Sequence, residues 1–156
     1  MTPGSFGFRA LDLVADAFSP ALTLLALAAP RLRGTWRGWL PALRYVVAGL
    51  AGLGLIYGVA ALDAHFGLWS AMGLDYSTHM AYAVSLTTTI ICWDRRWRTL
   101  VAVALCGNAL LMIVLGFHSP ADLATTAVIA TPAAWAAMKF LGPRRESKSG
   151  VYGPES

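Results

Sequence analysis

The sequence predicts an all-α integral membrane protein, with about five transmembrane helices in one compact bundle. Of the 156 residues, 57% are hydrophobic and only 13% are charged, and the mean hydropathy is +0.59. Soluble domains carry about 25% charged residues, and one water-exposed domain of this length does not bury so much apolar surface. Long apolar runs separated by short polar segments indicate that a bilayer solvates this surface instead.

Five apolar runs have the length of membrane spans, which need about 20 mostly apolar residues, or roughly 17 to 25. They are Leu13–Pro30, Ala42–Leu62, Ser77–Trp93, Thr99–Phe117 and Pro120–Leu141. We therefore predict a single transmembrane domain over residues 1–141 and a disordered cytoplasmic tail over residues 142–156, which is rich in Gly, Pro and Ser.

The first run is the least regular, because Asp16 and Pro20 interrupt it. This predicts a helix that is tilted, kinked or partly inserted. Its apolar stretch Leu22–Ala29 resembles the core of a secretory signal peptide. The arginines that follow resist translocation, so we expect the segment to stay in the protein.

The second run contains four glycines, which let helix backbones approach closely in lipid. An Ala- and Gly-rich composition bias accounts for the same residues equally well. The glycines are Gly49, Gly52, Gly54 and Gly58.

The third and fifth runs begin with helix-capping signals. Ser119-Pro120-Ala121-Asp122 places Ser at the N-cap, Pro at the first helical position and an acid at the third. Ser77 or Thr78 is expected to cap the third run, with Asp75 near the positive end of its dipole.

Basic residues set the predicted orientation. Five spans place the first loop, the third loop and the C-terminal tail on one face, and Lys and Arg mark the cytoplasmic face. The C-terminus is then cytoplasmic and the N-terminus outside, as in a protein of the bacterial inner membrane. The net charge of +4 is thus a topology signal, and we predict no nucleic-acid partner. Those three regions hold Arg31, Arg33, Arg37, Arg44, Arg95, Arg96, Arg98, Lys139, Arg144, Arg145 and Lys148.

The opposite face gathers histidines and aspartates without any Lys or Arg in its loops. Ionisable groups at the edge of the hydrocarbon are functional candidates. Capping explains Ser119 and Asp122, but it explains neither His79 nor His118, each of which opens a helix. His65 is interpreted as a loop residue. The groups on this face are His65, His79, His118, Asp63, Asp75 and Asp122.

Two segments carry a family resemblance. "YSTHMAYAVSL" and "GFHSPADLATTAV" resemble the second and third motifs of the type-2 phosphatidic acid phosphatase superfamily, which joins lipid phosphatases and lipid headgroup transferases. The resemblance covers roughly residues 75–128. The order of the histidines, the intervening helix and the H-x3-D spacing of His118 and Asp122 all match.

The resemblance implies a membrane-embedded lipid phosphoesterase acting at the periplasmic face on a phospholipid or an isoprenoid-lipid phosphate, without a metal or cofactor. His118 would attack phosphorus, Asp122 would orient His118, and His79 would protonate the leaving alcohol. Asp75, Ser77 and Ser119 would contact the substrate. Asp75, Ser77 and His79 also resemble the corresponding motif of the sphingomyelin-synthase-like branch.

The sequence also departs from the family pattern. The basic first motif is absent, and Met112 stands where an arginine is expected. Arg9 is the one candidate substitute on that face. Because a phosphomonoester dianion needs cationic donors, the pattern favours a phosphodiester headgroup, for either hydrolysis or transfer.

Two alternative functions follow from the same residues. One is a catalytically inactive relative with a lipid-binding or scaffolding role. The other is a zinc-dependent intramembrane hydrolase, because imidazole and carboxylate groups suit zinc. Paired His spacing such as H-E-x-x-H is absent from the sequence, which counts against zinc.

Overall fold

The computed structural model describes residues 6–32 and 39–143, and all regular secondary structure in these ranges is helical. Five α-helices follow one another as α1 (Phe6–Leu32), α2 (Trp39–Phe66), α3 (Thr78–Trp93), α4 (Arg98–Val114) and α5 (Pro120–Leu141). Short 3-10 turns at Ser70–Met72 and Arg95–Trp97 precede α3 and α4. The predicted all-α class is confirmed, whereas the predicted disordered tail lies, from residue 144 onward, outside the described residues.

Helix α3 is the centre of the bundle and contacts all four other helices. Ala81, Ala83, Ser85 and Ile90 along its length are almost inaccessible. Because its neighbours shield it on all sides, α3 does not need an apolar surface of its own. Its hydroxyl side chains Ser85, Thr87 and Thr89 are accordingly buried inside the bundle.

Three segments are long and apolar enough to cross a membrane: Gly7–Arg31, Trp39–Phe66 and Arg95–Val114. The predicted number of five helices is therefore confirmed, but only three of them have the length and hydropathy of a membrane span. Helix α3 is short, and α5 has the length but carries Asp122, several threonines and Lys139. Helix α1 continues through Pro20 without a break, so the predicted interruption of the first run does not end the helix.

The outer surfaces of the three long helices are strongly apolar. Leu24 of α1, Leu50 of α2 and Val103 of α4 are each more than 60% exposed. Large continuous apolar surfaces are uncommon on soluble monomers. This exterior is compatible with a membrane protein.

The odd-numbered helices run in the same direction. Ala29 near the end of α1, Trp93 at the end of α3 and Met138 near the end of α5 share one buried cluster with Tyr45 near the start of α2. At the other end, the start of α3 bonds to the first turns of α5 through Ser77 and Thr126. The candidate site lies at this second end.

Close helix approach accounts for two of the four glycines of α2. A Cβ added to Gly52 would lie 3.2 Å from Ser85 Oγ of α3 and 3.4 Å from the Cα of Ala134 in α5. A Cβ on Gly49 would lie 3.5 Å from Thr89 Cγ2, whereas Gly54 and Gly58 face open space. Gly52 is thus the position where α2, α3 and α5 meet most tightly.

Candidate active site

The starts of α3 and α5 form the candidate site. Ser77 is the N-cap of α3 and accepts a hydrogen bond from Met80 N. Ser119 is the N-cap of α5, in a capping box with Asp122 and with Pro120 in the first turn. Both predicted caps are confirmed. The two helix starts are joined where Ser77 N donates to Thr126 Oγ1 at 3.2 Å.

Asp122 connects the chain before α3 to the start of α5. One carboxylate oxygen accepts from Ser119 N at 2.8 Å, and the other accepts from Asp75 N, also at 2.8 Å. The side chain is buried, with 7% of the residue exposed. The motif resemblance implies that Asp122 orients His118, but in the structure both of its oxygens accept from backbone N–H groups.

His118 instead faces the carboxylate of Asp75. Its Nδ1 lies 3.4 Å from Asp75 Oδ2, with the histidine side chain 13% exposed and the aspartate 74% exposed. At this distance the two groups form an ion pair only when the imidazole is protonated, and Nδ1 has no hydrogen-bond partner within the described part of the chain. A carboxylate beside Nδ1 favours the tautomer with its proton there, which leaves Nε2 as the nucleophilic nitrogen.

These contacts form a chain of three groups. Asp122 fixes the backbone of Asp75, and the side chain of Asp75 faces His118. Because Asp122 also closes the capping box of α5, the residue immediately after His118 is held by the same carboxylate. The structure thus brings together His118, Asp75, Asp122, Ser119 and, through Thr126, Ser77.

His79 lies elsewhere. It is exposed and lines a cleft of about 270 Å³ with Ser19, Tyr57, Thr78 and Tyr82, and His118 is not part of this lining. Among the described residues, no hydrogen bond or ion pair joins His79 to the His118 cluster.

The two histidines are on different sides of α3. Ala83 and Leu86, one and two turns after His79 on the same helix face, pack against Leu22 of α1. Ser77 N instead donates to Thr126 Oγ1 of α5, and Ser85 Oγ faces Gly52 of α2. The helical rotation between these faces separates His79 from the side of α3 that bonds to α5.

His65 is in the last turn of α2 rather than in a loop, because α2 continues to Phe66. Its interpretation as a loop residue is wrong. Its ring meets that of Phe66 edge-on at 4.6 Å. Asp63 is also helical, and its side chain accepts from Trp69 N at 2.7 Å, which folds the following turn.

Sequence reasoning missed the residues that hold the segment before α3 in place. Trp69 Nε1 donates to Thr125 Oγ1 at 3.1 Å, and Tyr76 OH donates to the carbonyl of Ile56 at 3.1 Å. The Trp69 and Tyr76 rings meet edge-on at 4.8 Å. The position of Thr125 and Thr126, one turn after Asp122, was the available signal for a polar contact at this helix start.

Positive charge does not reach the candidate site among the described residues. No Lys or Arg there forms an ion pair with Asp75 or Asp122. Met112, at the position where the family motif has arginine, is 4% exposed and belongs to a core cluster with Tyr76, Met80 and Leu123. The described residues also contain no group of three His, Cys, Asp or Glu that could hold a metal ion, so the zinc alternative lacks a ligand set.

Comparisons with protein-family models, curated proteins and solved structures found no match to this chain.

Proposed function

We propose that the protein is a membrane-embedded lipid phosphoesterase that uses His118 as its nucleophile. The observation that supports this most is the contact of His118 Nδ1 with the Asp75 carboxylate, at a backbone position fixed by Asp122. An imidazole held beside a carboxylate at a helix start is suited to nucleophilic catalysis.

The proposed reaction has two steps. His118 Nε2 forms a bond to phosphorus while the bond from phosphorus to the leaving alcohol breaks, and the leaving oxygen takes up a proton from His79 or from solvent water. Asp75 offsets the positive charge that develops on the imidazole. Water or a second alcohol then attacks phosphorus, gives up its proton, and releases His118. The resemblance implies that His79 is the acid and base of these steps. This role is proposed separately from that of His118, because His79 lines a cleft that does not include His118.

The charge around His118 favours a phosphodiester over a phosphomonoester. Two carboxylates lie beside His118 or its helix start, and no cation among the described residues pairs with them. A diester carries one negative charge and needs less compensation than a monoester dianion. The proposed substrate is therefore a lipid with a phosphodiester headgroup, which is hydrolysed or transferred.

We also propose the topology: five spans, a cytoplasmic C-terminus and a site that faces the periplasm of a bacterial inner membrane. The parallel course of α1, α3 and α5 supports it, since Arg31, Arg95 and Lys139 follow or lie near their C-terminal ends. The 22 residues of α5 extend about 33 Å at 1.5 Å per residue, close to the thickness of the hydrocarbon core.

Turnover of lipid esters by purified protein tests the catalytic assignment. The substrates are a phosphodiester lipid and the matching phosphomonoester, and the variants are His118→Ala and the control His65→Ala. We expect the diester to be the better substrate, His118→Ala to lose at least about 100-fold in turnover, and His65→Ala to match the wild type. Equal turnover by wild type and His118→Ala would remove His118 from the reaction.

The buried Met112 favours a second candidate function, a catalytically inactive relative that binds lipid or acts as a scaffold. An apolar core side chain occupies the position of the motif arginine, so a phosphate-binding cation is missing at that point. Absence of turnover on both substrates, in wild-type protein with native thermal unfolding, would select this alternative.

A further inference from the structure

A basic cavity lies at the end of the bundle opposite to His118. It has a volume of about 370 Å³ and opens between the end of α3, the following 3-10 turn and the last turns of α5. Lys139 lies near the end of α5, which begins two residues after His118, so the helix separates the two places by roughly 30 Å at 1.5 Å per residue. The cavity is therefore no part of the proposed active site. Its lining includes Ile91, Cys92, Arg95, Trp135, Met138 and Lys139.

Two cations from different elements line this cavity. Arg95 belongs to the 3-10 turn and Lys139 to α5, and neither forms an ion pair within the described residues. Arg96 is different, because its guanidinium contacts Asp94 Oδ2 at 2.7 Å and its Nε donates to the same oxygen at 2.8 Å. Asp94 is thus engaged by Arg96, and no carboxylate within residues 6–32 and 39–143 forms an ion pair with Arg95 or Lys139.

The rest of the lining is aromatic and apolar. Lys139 Nζ lies 4.7 Å from the ring centroid of Trp135, a cation–π contact that positions the ammonium group. Ile91 and Met138 add apolar surface to the same cavity. Cations beside tryptophan and aliphatic surface suit a group that is anionic at one end and apolar at the other.

We propose that this cavity binds the phosphate of an anionic phospholipid, of the phosphatidylglycerol or cardiolipin class. Arg95 would donate paired hydrogen bonds to the phosphate oxygens, and Lys139 would contribute a point charge. The glycerol backbone and the start of an acyl chain would lie against Trp135, Ile91 and Met138. Basic pockets between membrane helices are established sites for anionic headgroups.

Native mass spectrometry of the detergent-purified protein tests the site. Phosphatidylglycerol, cardiolipin and phosphatidylcholine are titrated separately, and glycerol 3-phosphate is added in a further arm to represent a phosphate without acyl chains. The variants are Arg95→Gln, Lys139→Gln and the control Arg98→Gln, which removes the same charge from an exposed arginine that does not line the cavity.

We expect one anionic lipid to bind to the wild type with high occupancy, and phosphatidylcholine and glycerol 3-phosphate to bind at least tenfold more weakly. Arg95→Gln and Lys139→Gln are each expected to weaken anionic-lipid binding about tenfold, the loss of one charge-assisted contact, while Arg98→Gln matches the wild type. Equal weakening by all three variants would show general charge attraction and overturn the site. Phosphatidylcholine binding as tightly as the anionic lipids would also overturn the site. Glycerol 3-phosphate binding as tightly as the anionic lipids would show that the ligand is a soluble phosphate and not a lipid.

Discussion

Asp75 and Asp122 occupy the same cluster but serve different structural purposes. Asp122 is buried and binds two backbone N–H groups, whereas the Asp75 carboxylate is largely exposed and contacts only His118 within the described residues. A family motif identifies Asp122 by its spacing from His118, which is a local property of the chain. The approach of Asp75 comes from the packing of α3 on α5, and the sequence spacing does not contain it.

This difference predicts that the two aspartates separate stability from activity. Asp75→Asn should lower turnover about 100-fold, less than the roughly 10⁴-fold loss for a buried orienting carboxylate, because water screens the exposed Asp75. Its unfolding temperature should match that of the wild type. Asp122→Asn should lower the unfolding temperature by several degrees, because the amide NH2 group cannot accept a hydrogen bond and one of the two backbone N–H groups loses its acceptor. The measurements are turnover and thermal unfolding in detergent, and equal destabilisation by the two variants would contradict the assignment.

At the scale of helices, local signals predicted where α3 and α5 begin. They did not predict how α3 is rotated about its own axis, which decides the side of the bundle that each residue faces. Ser77 and Ser119 act through bonds within one turn, so the sequence contains all that determines them. The direction in which His79 points depends on how α1 and α5 pack around α3. That packing depends on contacts between residues far apart in the sequence. The motif therefore suggested that His79 lies beside His118, whereas in the structure His79 lines a cleft that does not include His118.

The glycines of α2 show the same difference between local sequence and long-range packing, and they give a second prediction. Gly52→Leu would force side-chain atoms into Ser85 and the backbone of Ala134, and overpacking of this kind costs about 1–3 kcal/mol of unfolding free energy. Gly54→Leu is the matched control two residues away, where a Cβ meets nothing within 4 Å, and it should change stability by less than about 0.5 kcal/mol. Denaturant titration of the two variants checks this, and similar losses would mean that α2 does not pack through Gly52.

For the whole molecule, the arrangement separates polar ends from an apolar belt. The starts of α3 and α5 carry His118, Asp75 and Asp122, and the other end carries Arg95, Arg96 and Lys139. Helices α1, α2 and α4 present exposed leucine and valine between these ends. Composition predicted the apolar belt. It did not reveal that α3 is enclosed by the other four helices or that α5 carries an aspartate, several threonines and a lysine.

The last prediction concerns topology. Helix α3 is enclosed by the other helices and can therefore cross the membrane without the apolar exterior of a free span, whereas α5 presents exposed apolar side chains such as Val128 and Phe140 although it is not among the three apolar spans. If all five helices cross, a reporter fused after Gly116 lies in the periplasm and one fused after Ser156 lies in the cytoplasm. If only the three apolar helices cross, both fusion points lie on the same side, because α4 is then the last crossing. We expect alkaline phosphatase to be active at Gly116 and inactive at Ser156, with green fluorescent protein giving the reverse pattern. Matching activity at the two points would show that α5 does not span, since that helix alone separates them.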